Sequence, residues 1–133
     1  MDEIETIARL NRLCFGKSDQ YTSHEKLEEF VAAGGDYILN RSKNGYVLWY
    51  DNKSYLMIER IGVLPDARRS GVAKRLLNDL RKEAIRVKRP IRTYVRYDNI
   101  PSYLLHMKAG FYPTHVAWAT YVWIELDPLK PRN

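Results

Sequence analysis

The sequence has few of the residues and segments on which several classes of protein depend. It contains a single cysteine, Cys14, among 133 residues, which excludes an internal disulfide and a zinc site built from several cysteines. No run of about 18 apolar residues is present that could cross a membrane. The acidic start, MDEIETIARL, differs from the basic and then apolar start of a secretory signal. We therefore expect a cytoplasmic protein with no membrane contact, in which Cys14 is a small core residue.

Repeats, linkers and low-complexity segments are also absent, and the composition is that of a folded domain. Hydrophobic residues make up 45% of the chain and charged residues 29%, the balance typical of a globular protein with a core. Because 133 residues are too few for two ordinary domains, we expect one domain over residues 1–126. The last segment, DPLKPRN at 127–133, is predicted to be a flexible tail.

Charge is distributed unevenly along the chain, whose formal net charge is +6. Residues 1–36 contain eight acidic and four basic side chains, whereas residues 68–96 contain eleven basic and two acidic ones. The basic stretch predicts an anionic partner. Composition alone does not distinguish nucleic acid from a small ligand that carries several phosphates.

Hydrophobic periodicity predicts two helices at the start of the chain. The first covers residues 3–13 and ends at Gly16. The second opens with Thr22 and Glu25, which have the spacing of a capping box, and ends at the glycine pair 34–35. A hairpin of DYILN and GYVLWYD follows, with Gly45 available for its turn.

A strand–helix–strand unit is predicted between Tyr55 and Tyr97. It consists of a strand over 55–63, a helix that starts at Gly71 and ends near Pro90, and the strand IRTYVRY. Such a unit requires parallel strands and a right-handed crossover. A short helix, IPSYLLHMKAG, and one or two final strands with a break near 117–120 complete the order of elements.

The stretch LPDARRSGVAKRLL, residues 64–77, joins the first strand of this unit to its helix. A helix N-terminus offers backbone amides without intrahelical partners and the positive end of the helix dipole, which together suit a phosphate. Gly71 allows the backbone to approach an anion closely, and Ala73 keeps the loop small. Further positive charge comes from Arg68, Arg69, Lys74 and Arg75. An ordinary helix start with solvated bases is the alternative interpretation of this segment alone.

Three motifs, in this order, resemble the GNAT superfamily of acyl-CoA-dependent N-acyltransferases. IERIGVLPDA resembles the family's fourth strand with its Pro-Asp/Glu exit, RRSGVA its Arg/Gln-x-x-Gly-x-Gly/Ala signature, and NIPSYLLHMKAGF its Asn-x-x-Ala/Ser, Tyr and Gly-Phe segment. The resemblance is close over residues 55–113, and the earlier elements follow the family's order loosely. The sequence departs from the family in starting directly with the first helix, and in having His106 where Tyr is common.

The resemblance implies an α/β (α+β) fold with a mixed, mostly antiparallel sheet, the parallel strand–helix–strand unit and helices on both faces. We expect the first edge strand to be missing, or supplied by a partner. The family's fourth and fifth strands splay apart, which leaves a wedge for the pantetheine arm of the cofactor. The implied cofactor contacts are Ile61, Gly62 and Val63 on the strand, Arg68, Arg69, Ser70, Gly71, Val72, Ala73 and Lys74 in the loop and helix start, and Asn99 and Ser102 further along the arm.

Glu59, His106 and Tyr103 are the candidate catalytic residues. Glu59 lies on the same strand face as Ile61 and could take the proton of an amine. Its structural alternative is a carboxylate paired with Arg60 or with a base on a neighbouring strand. His106 could protonate the departing sulfur, because an imidazole with its ordinary pKa of about 6.5 donates a proton at neutral pH. A packing histidine is the alternative, with Tyr103, one turn earlier, as the substitute acid.

Several aromatic residues are candidates for the acceptor pocket: Tyr94, Tyr97, Trp118 and Trp123. Aromatic residues on strands more often belong to the core, which is the alternative for all four. His24 and His115 have no metal-ligand companions at useful spacing, so we assign them no role and expect no metal.

The resemblance, together with the basic glycine loop, implies an enzyme that moves an acetyl group from acetyl-CoA directly to a primary amine. A nucleic-acid-binding module is the rival from another class, based on the basic stretch 68–96 and its tyrosines, but it leaves the glycine loop unexplained. A non-catalytic acyl-CoA-binding protein of the same fold is the third hypothesis. A small molecule, a protein N-terminus and a lysine remain open as acceptors, and the protein is expected to be a monomer or a homodimer.

Overall fold

The computed structural model describes residues 2–96, 98–118 and 121–130. Its helices are α1 (Glu3–Phe15), α2 (His24–Ala32), α3 (Val72–Val87) and α4 (Ile100–Lys108), and its strands are β1 (Gly35–Leu39), β2 (Gly45–Asp51), β3 (Leu56–Val63), β4 (Ile91–Arg96), β5 (Tyr112–Trp118) and β6 (Tyr121–Leu126). Hydrogen bonds link the strands in the order β1-β2-β3-β4-β6-β5. This mixed, mostly antiparallel sheet flanked by helices confirms the predicted fold class. Within the described residues no strand precedes α1.

The chain divides into two compact units. The first contains Met1–Tyr50 and Glu59–Leu76, and the second contains Asp51–Ile58 and Leu77–Asn133. The expectation of one domain over residues 1–126 stays a prediction. Residues 127–130 form a turn in which the Lys130 amide donates to the Asp127 carbonyl (3.2 Å), and the rest of the predicted tail, 131–133, lies outside the described residues.

Side-chain caps define the starts of both helices of the first unit. Asp2 Oδ1 accepts a hydrogen bond from the Glu5 amide (2.8 Å) and caps α1. Ser23 Oγ accepts from the Lys26 amide (3.1 Å) and caps α2. The predicted capping box is therefore wrong by one residue, because the Thr22 hydroxyl instead donates to the Asp19 carbonyl (3.0 Å) in the turn before α2.

The hairpin of β1 and β2 forms as predicted, but Gly45 has a different role in it. The turn is closed by Asn40 Oδ1, which accepts from the amides of Asn44 (3.0 Å) and Gly45 (2.9 Å), and the positive φ of 56° falls on Lys43. Gly45 is buried, and a Cβ there would lie 2.5 Å from Cγ1 of Val72. Position 45 therefore needs glycine because helix α3 packs closely against it.

The core of the first unit lies between α1, α2 and β2. Its buried members are Ile7, Ala8, Leu10, Tyr21, Leu27, Tyr46 and Leu48. Each large apolar side chain contributes roughly 1.5–3 kcal/mol through its removal from water. The core therefore fixes the helices against the strand that precedes β3.

The second unit contains the predicted parallel pair. Leu56 pairs with Ile91 at the start of β3 and β4. Two residues further along β3, the carbonyl of Ile58 accepts a hydrogen bond from the hydroxyl of Thr93 (3.2 Å). Strand β4 alternates strictly, with Ile91, Thr93 and Val95 buried and the residues between them more exposed. Strand β6 then pairs antiparallel with both β4 and β5.

Candidate cofactor and active site

The loop between β3 and α3 has left-handed backbone at two positions. φ is 66° at Arg69 and 86° at Gly71, a conformation that costs a residue with a Cβ roughly 1–2 kcal/mol. The hydroxyl of Ser70, which lies between them, donates to the Ala67 carbonyl. The glycine singled out from the sequence therefore stands at a position that requires its conformational freedom.

Helix α3 starts with backbone amides that lack intrahelical partners, as the first turn of an α-helix does. Its first intrahelical bond runs from the Arg75 amide to the Gly71 carbonyl (3.0 Å), so the amides of Val72, Ala73 and Lys74 precede the hydrogen-bonded part of the helix. The first turn of α3 contains no acidic side chain. These amides and the helix dipole are available to an anion.

Arg68 supports the loop rather than extending from it. Its Nε donates to the carbonyl of Val63 at the end of β3 (3.0 Å). The half-buried thiol of Cys14 also lies against this guanidinium, and burial raises the pKa of the thiol while Arg68 opposes the rise. These contacts connect the loop to β3 and to α1. The phosphate contact of Arg68 stays a prediction.

Arg75 reaches back over the loop from the first turn of α3. Its Nη1 lies 3.3 Å from the carbonyl oxygen of Ser70. The same nitrogen lies 3.0 Å from the position that a Cβ on Gly71 would take. Sequence reasoning counted Arg75 among the surrounding charges but not among the cofactor contacts.

On β3 the predicted strand contacts are buried or half-buried. Gly62 and Val63 are buried and Ile61 is half-buried. A Cβ on Gly62 would lie 2.7 Å from Cε1 of Tyr46, whose hydroxyl donates to Oδ1 of Asn11. Position 62 is thus restricted to glycine by a buried tyrosine as well as by any need for close approach of a ligand.

The Glu59 carboxylate is held by Tyr21. The Tyr21 hydroxyl donates to Glu59 Oε1 (2.9 Å), and its ring packs edge-on against Phe30 with centroids 5.6 Å apart. Burial and the Glu59 carboxylate raise the pKa of Tyr21, which keeps this hydroxyl a donor. The expected alternative, a Glu59–Arg60 ion pair, does not form, because Arg60 pairs with Asp19 (2.6 Å).

Asp19 is the centre of a polar cluster beside Glu59. Its carboxylate accepts hydrogen bonds from Asn11 Nδ2 (2.8 Å), from the Tyr21 amide (3.1 Å) and from Arg60 Nη2 (2.6 Å). Burial by itself would raise the pKa of Asp19, but these hydrogen bonds outweigh it and lower the pKa. Arg60 lies over the ring of Phe15, 5.2 Å from its centroid. The cluster therefore holds charged side chains in fixed positions next to the candidate base.

Helix α4 uses two of its candidate residues for its own structure. Asn99 caps the helix, because its side chain accepts from the Ser102 amide (3.3 Å). His106 is 2% exposed, and its Nδ1 lies 2.7 Å from the Ser102 carbonyl oxygen. Its ring packs edge-on against Phe111, with centroids 5.2 Å apart. Tyr103, which lies between Asn99 and His106 in the sequence, is half-buried.

The hydrogen bond of His106 determines which of its nitrogens carries the proton. A carbonyl oxygen only accepts, so Nδ1 is the donor, and Nε2 is buried without a hydrogen-bond partner among the described residues. Burial lowers the pKa of His106, with the Ser102 hydrogen bond in opposition. These observations favour the neutral imidazole, whereas the acid role predicted for His106 needs the protonated form.

Each unit brings together part of the predicted site. In the first unit, Glu59 and the residues 61–63 lie on β3, which leads into the loop of residues 68–74. In the second unit, the residues Asn99, Ser102, Tyr103 and His106 lie on or cap α4. The first group thus follows β3 into the start of α3, and the second group belongs to α4; their roles as cofactor and catalytic residues stay a prediction.

The aromatic candidates form a partly exposed array on the β4–β6 sheet. Tyr94, which is 38% exposed, lies edge-on to both Tyr121 and Trp123, with centroids 5.4 Å apart in each case. His115 stacks on Trp123 at 6.1 Å. The other two candidates, Tyr97 and the side chain of Trp118, lie outside the described residues.

His24 lies on the surface between two helices. Its Nε2 lies 3.3 Å from Asp2 Oδ2, and its Nδ1 contacts Glu28. Asp2, Glu5 and His24 hold potential metal-ligand atoms within 4.8 Å of one another, with the two carboxylates exposed and His24 half-buried. Asp2 already caps α1, so helix capping and ion pairing account for the arrangement.

Comparison with known families identifies the class of protein. The model of the acetyltransferase (GNAT) family matches residues 4–111. The chain therefore belongs to this family and is an acyltransferase of the GNAT type. Among curated proteins, none matches this chain closely enough to count as a relative.

Solved structures share the fold at low sequence identity. The ribosomal-protein-S18-alanine N-acetyltransferase from Escherichia coli is 14% identical, with 100% of this chain and 94% of that chain covered and a TM-score of 0.78. PaiA N-acetyltransferase from Thermoplasma acidophilum, in complex with coenzyme A, is 18% identical, with 94% and 92% covered and a TM-score of 0.80. An aminoglycoside 6'-N-acetyltransferase from Enterococcus faecium is 14% identical, with 100% and 97% covered and a TM-score of 0.76.

In the part of the chain that the structure describes, no helix is both long and apolar enough to span a membrane.

Proposed function

We propose that the protein is an N-acetyltransferase that uses acetyl-CoA and transfers its acetyl group directly to a primary amine. The observation that carries this proposal is the loop at Gly71, where left-handed backbone leads into the free amides of Val72, Ala73 and Lys74. Membership of the GNAT family and fold neighbours in complex with coenzyme A support the same assignment. The loop suits a diphosphate because the first amides of α3 and the positive end of the helix dipole lie next to Gly71, where a larger side chain would take up space.

The rival interpretation, a nucleic-acid-binding module, is weakened by where the basic side chains go. Four of the eleven bases in residues 68–96 form ion pairs with carboxylates, namely Arg86 with Glu83, Arg89 with Asp51, Arg92 with Glu125 and Arg96 with Asp98. A further two, Arg68 and Arg75, donate to backbone carbonyls next to the loop. Much of the basic stretch is therefore used within the fold rather than presented to a polyanion.

Glu59 and Tyr103 are the proposed groups for proton transfer. When bound, acetyl-CoA supplies an acetyl thioester, whose C–S bond breaks as the C–N bond to the amine forms. Glu59, held at Oε1 by Tyr21, has Oε2 available to accept the proton that the amine releases, directly or through water. Tyr103 is the proposed donor to the departing sulfur, since His106 is buried and favours the neutral imidazole.

The amine acceptor is the part of the reaction for which the neighbours give several candidates. They include a ribosomal-protein-S18-alanine N-acetyltransferase and an aminoglycoside 6'-N-acetyltransferase. We therefore propose protein N-termini, lysine side chains and small polyamino compounds as the classes to examine. The acidic balance of residues 1–36, with eight acidic and four basic side chains, favours a cationic acceptor among them.

The direct test combines binding with turnover. Calorimetry should show that the protein binds CoA, and binds dephospho-CoA more weakly. Mass spectrometry of pooled peptides, amines and nucleic acids incubated with acetyl-CoA should show a product heavier by one acetyl group. CoA binding without turnover of any amine would favour the non-catalytic acyl-CoA-binding protein. DNA or RNA binding without CoA binding would favour the nucleic-acid module.

A further inference from the structure

Tyr21 is a buried tyrosine whose hydroxyl contacts a candidate catalytic group on a distant element. It lies in the short turn before α2, and 8% of the residue is exposed. The hydroxyl donates to Oε1 of Glu59 (2.9 Å), a half-buried residue of β3. Because a buried hydroxyl without a partner is unfavourable, this hydrogen bond restricts both side chains. The contact therefore links the turn before α2 to the carboxylate of the candidate base.

Packing fixes the ring of Tyr21. The ring meets that of Phe30 edge-on, with centroids 5.6 Å apart. Phe30 lies in turn so close to the backbone of Gly35 that a Cβ there would clash with its ring. The guanidinium of Arg60 lies 5.8 Å from the centroid of the Tyr21 ring, within the range of a cation–π contact. These contacts hold the hydroxyl at a defined point beside Glu59.

The backbone of Tyr21 is fixed as well, by the carboxylate of Asp19. Oδ1 of Asp19 accepts from the Tyr21 amide (3.1 Å) and from Asn11 Nδ2 (2.8 Å). Oδ2 accepts from Nη2 of Arg60 (2.6 Å), a charge-assisted hydrogen bond. Both oxygens of Asp19 thus have partners. Asp19 supports Tyr21 and does not serve as a second base.

The orientation of the Glu59 carboxylate depends on such a partner. The terminal torsion of a glutamate side chain has a broad preference, so a carboxylate without a fixed donor can rotate. Burial and the carboxylate raise the pKa of Tyr21, so its hydroxyl stays protonated and remains a donor to Oε1. The second oxygen, Oε2, is left for a proton from outside the cluster.

We infer that Tyr21 is a positioning residue for acetyl transfer: by holding Oε1 of Glu59, it fixes the orientation in which Oε2 accepts the proton of the amine. In that step the C–N bond forms, the C–S bond of the thioester breaks, and the proton of the amine moves to Oε2 while Tyr21 keeps its own. The inference rests on the proposed function, because it assumes that Glu59 is the base.

The experiment compares Tyr21→Phe with Tyr37→Phe. Tyr37 donates to the carboxylate of Glu3 (3.1 Å), so both variants keep the ring and remove a hydroxyl that binds a glutamate. The acceptor is the amine with the highest turnover among pooled peptides and polyamines. Tyr21→Phe should lower kcat by roughly 10- to 100-fold, because a displaced base is less effective, and should keep CoA affinity within about twofold. Tyr37→Phe should keep both values within about twofold of wild type.

A double-mutant cycle with Glu59→Gln distinguishes positioning from a general structural role. If Tyr21 acts through Glu59, Tyr21→Phe causes no further loss once the carboxylate is gone. The combined variant should then have the kcat of Glu59→Gln within about twofold. A structural role independent of Glu59 would instead multiply the two losses. Circular dichroism checks that each variant is folded.

The outcomes separate this inference from the proposed function. A folded Tyr21→Phe with kcat within twofold of wild type overturns the positioning role alone, and so does a combined variant in which the losses multiply. Glu59→Gln with the kcat of wild type overturns the positioning role and the base role of Glu59, while acetyl transfer itself stands. Wild-type protein that acetylates no amine contradicts the proposed function and this inference together.

Discussion

The loop of residues 68–74 and helix α4 each contain one of the motifs that resemble the GNAT family. The two regions differ in whether backbone atoms or side chains are the proposed functional groups. In the loop the proposed functional groups are backbone amides, which follow the left-handed residues Arg69 and Gly71. In α4 they are side chains, of which Asn99 is used as a helix cap and His106 is buried. Backbone chemistry depends on local conformation, so glycine spacing reveals it. Side-chain chemistry depends on burial by distant residues, which a short motif does not contain.

Gly71→Val should have the largest effect, because it directly changes the backbone conformation of the loop of residues 68–74. The variant combines strain at a φ of 86° with a side chain that meets Arg75 Nη1. We expect CoA affinity to fall by on the order of 100-fold or more, since several charge-assisted hydrogen bonds would be lost together. Titration calorimetry measures the loss, and circular dichroism checks that the fold persists.

Gly34→Val is the matched control for backbone strain. Gly34 also has a left-handed φ, of 107°, but a Cβ there meets nothing within 4 Å. It should lose stability by roughly 1–3 kcal/mol and keep its affinity for CoA. If both variants lost CoA affinity equally, strain rather than the loop would explain the effect, and the comparison between the two regions would fail.

Tyr103→Phe should have the second largest effect and tests the side-chain half. If the phenol protonates the departing sulfur, kcat should fall by roughly 100-fold while the affinity for acetyl-CoA changes little, because the proton is transferred only in the transition state. Steady-state kinetics with a fixed acceptor measures both parameters. An unchanged kcat would mean that the Tyr103 hydroxyl does not donate the proton.

The two regions also show how far sequence reasoning reaches. The order of elements and the parallel pairing of β3 with β4 were predicted correctly, since hydrophobic periodicity and the topology rule depend on local pattern. The hydrogen-bond partner of the Glu59 carboxylate was not predicted, because Tyr21 lies 38 residues away in the turn before α2. Gly45 was assigned to a turn, although packing against Val72 is what requires it. Contacts between distant residues leave no periodic signal.

His106→Gln should have the smallest effect, seen in the pH dependence of stability. Burial lowers the pKa of His106 below the value near 6.5 of the unfolded chain, so the unfolded state binds more protons as pH falls. Wild type should therefore lose stability through this group between pH 6.5 and 5.5. His106→Gln should lack that loss, measured by urea unfolding at both pH values.

His24→Gln provides a control with the opposite sign. In the wild type, the hydrogen bond of His24 to Asp2 raises the pKa of His24. The stability that His24 contributes is therefore present at low pH and is lost as pH rises through that pKa. The two variants should thus change the pH slope of stability in opposite directions. His106→Gln should also keep kcat within about threefold of wild type; a fall of 10-fold or more at unchanged stability would restore the acid role of His106.

Cys14 gives the protein a native chemical probe for the start of the cofactor loop. The chain has one thiol, so alkylating reagents and fluorescent maleimides would label a single site. Because the thiol is half-buried with a raised pKa and lies against Arg68, its rate of modification depends on how often this contact opens. Labelling kinetics followed with and without CoA would therefore report, without any introduced residue, whether the ligand tightens the attachment of the loop to α1.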